Sequence, residues 1–129
     1  MELTYSSIIK HIIDEFPQLI HEYRDEYEFA RTEDGFITYM FFESIVREHF
    51  YKLVTCYCNE KDENTLTEIH RFSEFFENMA MSKDFDMQNL LIVGLFEGMK
   101  PVLHEFVVST LGPESKKLFK LGLLSASKT

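Results

Sequence analysis

Five histidines, two cysteines and 22 carboxylates are the side chains with which this chain could hold a metal or move a proton. His11, His21, His49, His70 and His104 never fall four apart and no H-E-x-x-H occurs, so no helix face carries a zinc-binding pair. None follows a Glu by three residues, which removes the Glu-x-x-His signature of carboxylate-bridged di-iron bundles. Cys56-x-Cys58 lacks a second Cys or His pair at zinc-ribbon spacing. On a helix its two thiols would point about 200° apart. Asp84-x-Asp86 begins like a calcium loop, but Asn89 stands where the sharp turn needs Gly, so the fragment reads as a helix N-cap. There is no G-x-S-x-G, no glycine-rich phosphate loop and no nucleotide fingerprint; Gly35, Gly94, Gly98, Gly112 and Gly122 stand singly. Acid pairs such as Asp14-Glu15 and Glu74/Glu77 have the groups for acid–base work, yet in so acidic a chain they are expected as solvated helix faces. The expectation is a protein that is not an enzyme and needs no metal or cofactor.

What remains is a surface for another protein, and charge describes it best. Twenty-two acids against 13 bases give a formal −9. Residues 1–99 hold 20 acids and 8 bases, a net of −12, whereas residues 100–129 hold 2 acids and 5 bases, a net of +3. A body of that sign repels phosphate backbones and anionic lipid, so nucleic-acid and membrane binding are disfavoured and a basic protein partner is favoured. Acidic density peaks over residues 14–34 (eight acids, two bases) and 60–86 (eight acids, three bases). If the helices of these two stretches share a side, they make a negative face bearing Tyr27, Phe29, Phe75 and Phe85, with Glu22, Asp25, Glu26, Glu33, Asp34, Glu74, Glu77, Asp84 and Asp86 as the candidate partner-binding residues. The plainer reading is a solvated face that serves solubility alone.

The elements that must position these residues are helical. With 129 residues, 45% apolar and 27% charged, the chain is long enough for one globular domain, and few Gly and Pro argue against many short strands. The longest uncharged run, Met87 to Phe96, is too short to span a bilayer, and the N-terminus lacks a signal-peptide pattern. Two closely spaced cysteines fit a reducing cytoplasm. Apolar spacing predicts a first helix over Thr4 to Phe16, a second over Pro17 to Ala30, and a long third from Phe36 to about Tyr57. A fourth, capped by Asn64, carries Leu66, Ile69, Phe72/Ser73, Phe76 and Met79/Ala80 on one face. Residues 87–99 are apolar nearly all round and read as a central buried helix, in which Gly94 and Gly98 allow close approach of a neighbour. A sixth runs from Pro101 to about Leu111, and a short last one starts at Pro113, with residues 125–129 expected to fray. The expected fold is all-α: a single domain over residues 1–129, about six or seven helices, with antiparallel pairs from residue 36 onward resembling a short solenoid.

Four stretches carry a family resemblance. These are Phe16-Pro17-Gln18-Leu19, Tyr39-Met40-Phe41-Phe42-Glu43, Met87-Gln88-Asn89-Leu90-Leu91-Ile92-Val93 with the trailing Glu97, and Leu111-Gly112-Pro113-Glu114-Ser115-Lys116-Lys117-Leu118. In order and spacing, from about residue 8 to 121, they resemble a family of small all-helical bacterial proteins that includes immunity proteins of toxin systems such as contact-dependent growth inhibition. The matching positions are helix boundaries and core, so the resemblance carries over no catalytic residue. It implies a role: a cytoplasmic inhibitor that binds and blocks one toxin domain, commonly a nuclease. The alternative is an acidic helical adaptor without a toxin partner.

Overall fold

Pro17 decides how the chain begins. A proline disfavours helical backbone in the residue before it, and Phe16 accordingly leaves the helix at φ −130 and ψ 71, ending α1 (Ile8–Glu15). In this computed structural model, which describes the backbone of residues 3–32 and 37–127 and the side chains of all of these except 29–32 and 125–127, α1 follows a 3-10 turn at Tyr5–Ser7. The single second helix expected from sequence is two, α2 (Gln18–Glu22) and α3 (Arg24–Thr32), broken at Tyr23 with φ −121 and ψ 38. The break buries the Tyr23 ring, and α3 restarts with Asp25 and Glu26 in its first turn, where the helix dipole favours acids.

α4 (Thr38–Phe41) runs through a π turn at Phe42–Val46 into α5 (Arg47–Glu60), forming one long rod. Lys61, in the left-handed region at φ 56, ends it. The cap of α6 (Glu63–Ala80) is Asp62 and not Asn64: its Oδ2 accepts from the Thr65 N–H at 3.2 Å and the Thr65 hydroxyl at 2.9 Å. α7 (Phe85–Leu91) likewise passes into a π turn, Ile92–Phe96. Pro101–Leu103 is a 3-10 turn leading to α8 (His104–Thr110), and α9 (Pro113–Ser127) spans 15 residues, so the last helix is not short. Residues 128 and 129 of the stretch expected to fray lie outside the described residues. No strand occurs among the described residues, and no helix among them is long and apolar enough to cross a membrane. The all-α fold stands, with more helices than expected because of the Tyr23 break.

α6 is the hub. It packs against α5, α7, α8 and α9, and α9 also folds back on the second π turn. The helices therefore close around α6, whereas in a solenoid each pair meets only its neighbours. Phe16, Phe41, Phe42, Phe50, Phe72, Phe76, Phe96 and Phe119 are fully buried. Phe16 stacks on Phe72 at 3.8 Å, and Phe50 stands edge-on to both Phe72 and Phe76, so one aromatic chain joins α1, α5 and α6. Each such ring contributes about 1.5–3 kcal/mol by burial. The two π turns touch where Gly94 faces Phe42; a Cβ at Gly94 would stand 3.2 Å from the Phe42 Cβ. Gly98 instead accommodates the guanidinium of Arg47.

Candidate protein-binding face

The nine acids named from sequence do not form one face, because the fold employs them differently. Glu77 points from α6 at the start of α9. Its Oε2 accepts the Glu114 N–H at 3.1 Å and its Oε1 the Ser115 N–H at 2.9 Å. It satisfies two amides that a helix start leaves without acceptors, a capping role supplied from 37 residues away in sequence. Asp84 is spent in the same way. Its Oδ1 accepts from the Asp86 N–H at 3.0 Å as the N-cap of α7, and its Oδ2 accepts from the Tyr5 N–H at 3.1 Å. Glu77 and Asp84 therefore each hold a helix start, for Asp84 the N-cap role expected from sequence and for Glu77 a structural role that the sequence reading did not assign.

Glu22 is tied as well. Its Oε2 lies 2.5 Å from Nδ1 of His49, which is only 5% exposed and sits between the Tyr23 edge and Phe72. The other ring nitrogen of His49 is buried without a partner. Burial raises the Tyr23 phenol above its usual range, Lys52 beside it pulling the other way; the Lys52 ammonium lies 4.9 Å from the ring centre. Asp25 and Glu26 are exposed on α3 and make no hydrogen bond or ion pair among the described residues. Glu33 and Asp34 lie outside the described residues, as does the side chain of Phe29.

The aromatic anchors expected beside these acids are rearranged too. Phe75 is buried, with its ring edge toward Phe16 at 5.9 Å, and Tyr27 is half-buried against Phe41. Phe85 is 75% exposed, as expected, and Met81 is 64% exposed.

Of the nine candidate partner-binding acids, Glu74 alone lines a groove of about 790 Å³ between α1 and α6. Arg71, Glu74, Phe75 and Asn78 of α6 form one wall at helical spacing, continued past the helix end by Met81 and Ser82; His11, Asp14 and Glu15 of α1 form the other wall. Arg71 is committed within it. One guanidinium nitrogen donates to the Glu15 carbonyl and carboxylate, each at 3.1 Å, and the other to Glu68 at 2.9 Å. The bond to Glu15 is the main reason that guanidinium is held above its usual range. Asp14 and Glu74 have no such partner among the described residues. The sequence held two signals for this site, the Asp14-Glu15 pair and Glu74, which composition alone made indistinguishable from solvated faces. Met81 and His11 gave no signal, because only the α1–α6 crossing brings them together.

A second groove, about 610 Å³, runs along α5 past Tyr51, Cys56, Cys58, Lys100 and Val102. Both cysteines are free thiols, and Cys56 donates weakly to Glu60 at 3.7 Å. The Tyr51 hydroxyl is buried without a partner, and burial pushes its pKa up to about 12, with Arg47 opposing and Glu48 reinforcing. Among the described residues no three His, Cys, Asp or Glu side chains converge as metal ligands would.

Fold and surface together define an all-helical protein with an acidic trough and two exposed apolar side chains near it. Over residues 9–123 the chain matches a family described as a domain of unknown function, DUF7674, and it belongs to that family. No curated protein and no solved structure matches the chain.

Proposed function

We propose that the protein is an immunity protein that acts in the cytoplasm by binding a basic toxin domain, a nuclease domain in the first place, and covering its active site or substrate groove. The observation that carries this reading is the surface: Asp25 and Glu26 on α3, and separately Glu74 and Asp86, are exposed on a body of net charge −12, and Met81 and Phe85 are exposed in the same stretch as Glu74 and Asp86. The family resemblance of the sequence points the same way. A nuclease must attract phosphates and is basic around its cleft. An acidic inhibitor is steered to that cleft and holds it through a few desolvated contacts, while the remaining charges set the association rate.

The test expresses the product of the neighbouring gene with and without this protein. The expected result is growth arrest by the neighbour alone, rescue by co-expression, and one dominant basic partner bound with sub-micromolar affinity. A neighbour that is harmless alone overturns the proposal; several partners of comparable affinity favour the adaptor instead.

A further inference from the structure

We infer that the α1–α6 groove receives a lysine- or arginine-bearing amphipathic helix of a protein partner. The inference rests on the reading of this protein as a binder of a basic partner, and it names the place and the shape of what is bound.

The groove has a helical wall against which another helix can lie. Its α6 lining runs from Arg71 to Asn78 at spacings of three and four, about 10 Å at 1.5 Å per residue, or two turns, and Met81, Ser82 and Lys83 extend it past the helix end. Its apolar lining is Leu3, buried Phe75 and exposed Met81, the last next to Ser82 and Lys83, and exposed Phe85 lies two residues beyond Lys83. A single aromatic or aliphatic anchor seated there, with water excluded around it, is the arrangement from which helix-in-groove recognition draws its affinity.

The charges select the sign of the visitor. Arg71 is turned inward onto Glu15 and Glu68, so it neutralises its own end of the trough. Asp14 and Glu74 then face each other's side of the groove against Lys83 alone, with Asp86 exposed just beyond, inside a body of strongly negative field. An acidic helix would bring like charge to Asp14 and Glu74; a basic one meets complementary charge on both walls.

The experiment titrates the full-length protein with an amphipathic peptide of Lys and Leu, reading amide shifts by NMR. The counterpart with Glu in place of Lys and a Lys-only peptide serve as controls. Expected are micromolar binding of the Lys/Leu peptide alone, weakening with salt, and shifts concentrated in residues 11–15 and 71–83. Glu74→Lys combined with Met81→Asp, both at exposed positions, should weaken binding about tenfold or more with an unchanged circular dichroism spectrum. Asp25→Lys with Glu26→Lys should change it less than about twofold, since the peptide reaches only the groove. Equal binding of either control peptide, shifts confined to other helices, or salt-sensitive self-association of the protein that the peptide displaces would each overturn the inference, the last by making a second copy the occupant. The two proposals fail separately. If the Glu74/Met81 variant rescues cells from the neighbouring toxin as well as the natural chain does, the groove is wrong and the immunity role stands. A harmless neighbour with intact peptide binding removes the immunity role and leaves the groove.

Discussion

Glu74 and Glu77 stand three residues apart on α6, within one acidic stretch, and the fold gives them opposite employment. Glu74 opens onto the α1–α6 groove with no ion pair among the described residues, while Glu77 reaches the first amides of α9 and holds both. The same division separates Asp86, which is exposed, from Asp84, which caps α7 and fastens Tyr5. An acidic run in a helical protein is thus two populations, one that completes helix ends and one that is left for solvent or a partner. Only the second can be spent on recognition without cost to the fold.

The sharpest way to break this comparison is to remove both glutamates in turn. Glu77→Ala leaves two backbone N–H groups at the start of α9 without an acceptor and should cost about 2–4 kcal/mol, as a charged cap with two bonds. Glu74→Ala should stay within about 0.5 kcal/mol. Urea denaturation decides, and equal losses would erase the distinction. Gly112 sharpens it: a Cβ there would stand 2.5 Å from the Glu77 carboxyl carbon, so Gly112→Ala should destabilise the natural chain and cost less in the Glu77→Ala background.

Next in size is charge reversal on the solvent-facing population. Asp25→Lys with Glu26→Lys should leave stability nearly unchanged. It should slow association with the proposed basic partner and raise Kd about tenfold or more, about 1.4 kcal/mol, at one stated ionic strength. Reversal of Lys116, Lys117 and Lys120 on α9 should be tolerated, since a basic partner gains nothing by facing them. Tail reversals that abolish binding while the α3 reversals do nothing would move the interface to the other side of the molecule.

A smaller effect tests whether a buried polar group outside both populations matters. The Tyr51 pKa is raised by burial to about 12 from 10.0. The folded state therefore keeps the phenol proton where the unfolded chain has lost it. This contribution is fully present below pH 10 and is lost as pH rises toward about 12. Tyr51→Phe should flatten that part of the alkaline stability curve and leave neutral-pH stability unchanged or slightly raised, because a buried hydroxyl without a partner is removed. An unaltered alkaline slope would show that the proton loss is elsewhere.

The smallest expected change comes from the cysteines. Exposed Cys58 and half-buried Cys56 bridge nothing, so replacing them with Ser and Ala respectively should leave partner binding within a few-fold. A hundredfold loss with the fold intact would give the thiols a role that their geometry does not suggest.

Much of this was legible before the structure. The apolar stripes located α1, α5, α6 and the buried helix around residues 87–96, because a core-facing helix writes its period into the chain. The cap of α7 was legible in Asp84-x-Asp86, a local hydrogen-bonding pattern. Less local features were missed. Asn64 is a good cap by type, but Asp62 stands where the backbone turns extended after Lys61. The break at Tyr23 follows from where its ring is buried against His49, a residue 26 positions later. Phe75 looked like a surface anchor because acids flank it, and it is buried because Phe16 arrives beside it.

The sequence by itself determined the helical class, the positions of the main core stripes and the separation of a strongly negative body from a positive C-terminal stretch, since composition and short-range periodicity are properties of the chain. Tertiary structure alone decided which acids remain available. Whether a carboxylate is free depends on which amide or cation the fold delivers to it. Glu77 meets amides 37 and 38 residues away, and Arg71 meets Glu15 across 56, separations over which sequence spacing carries no geometric information.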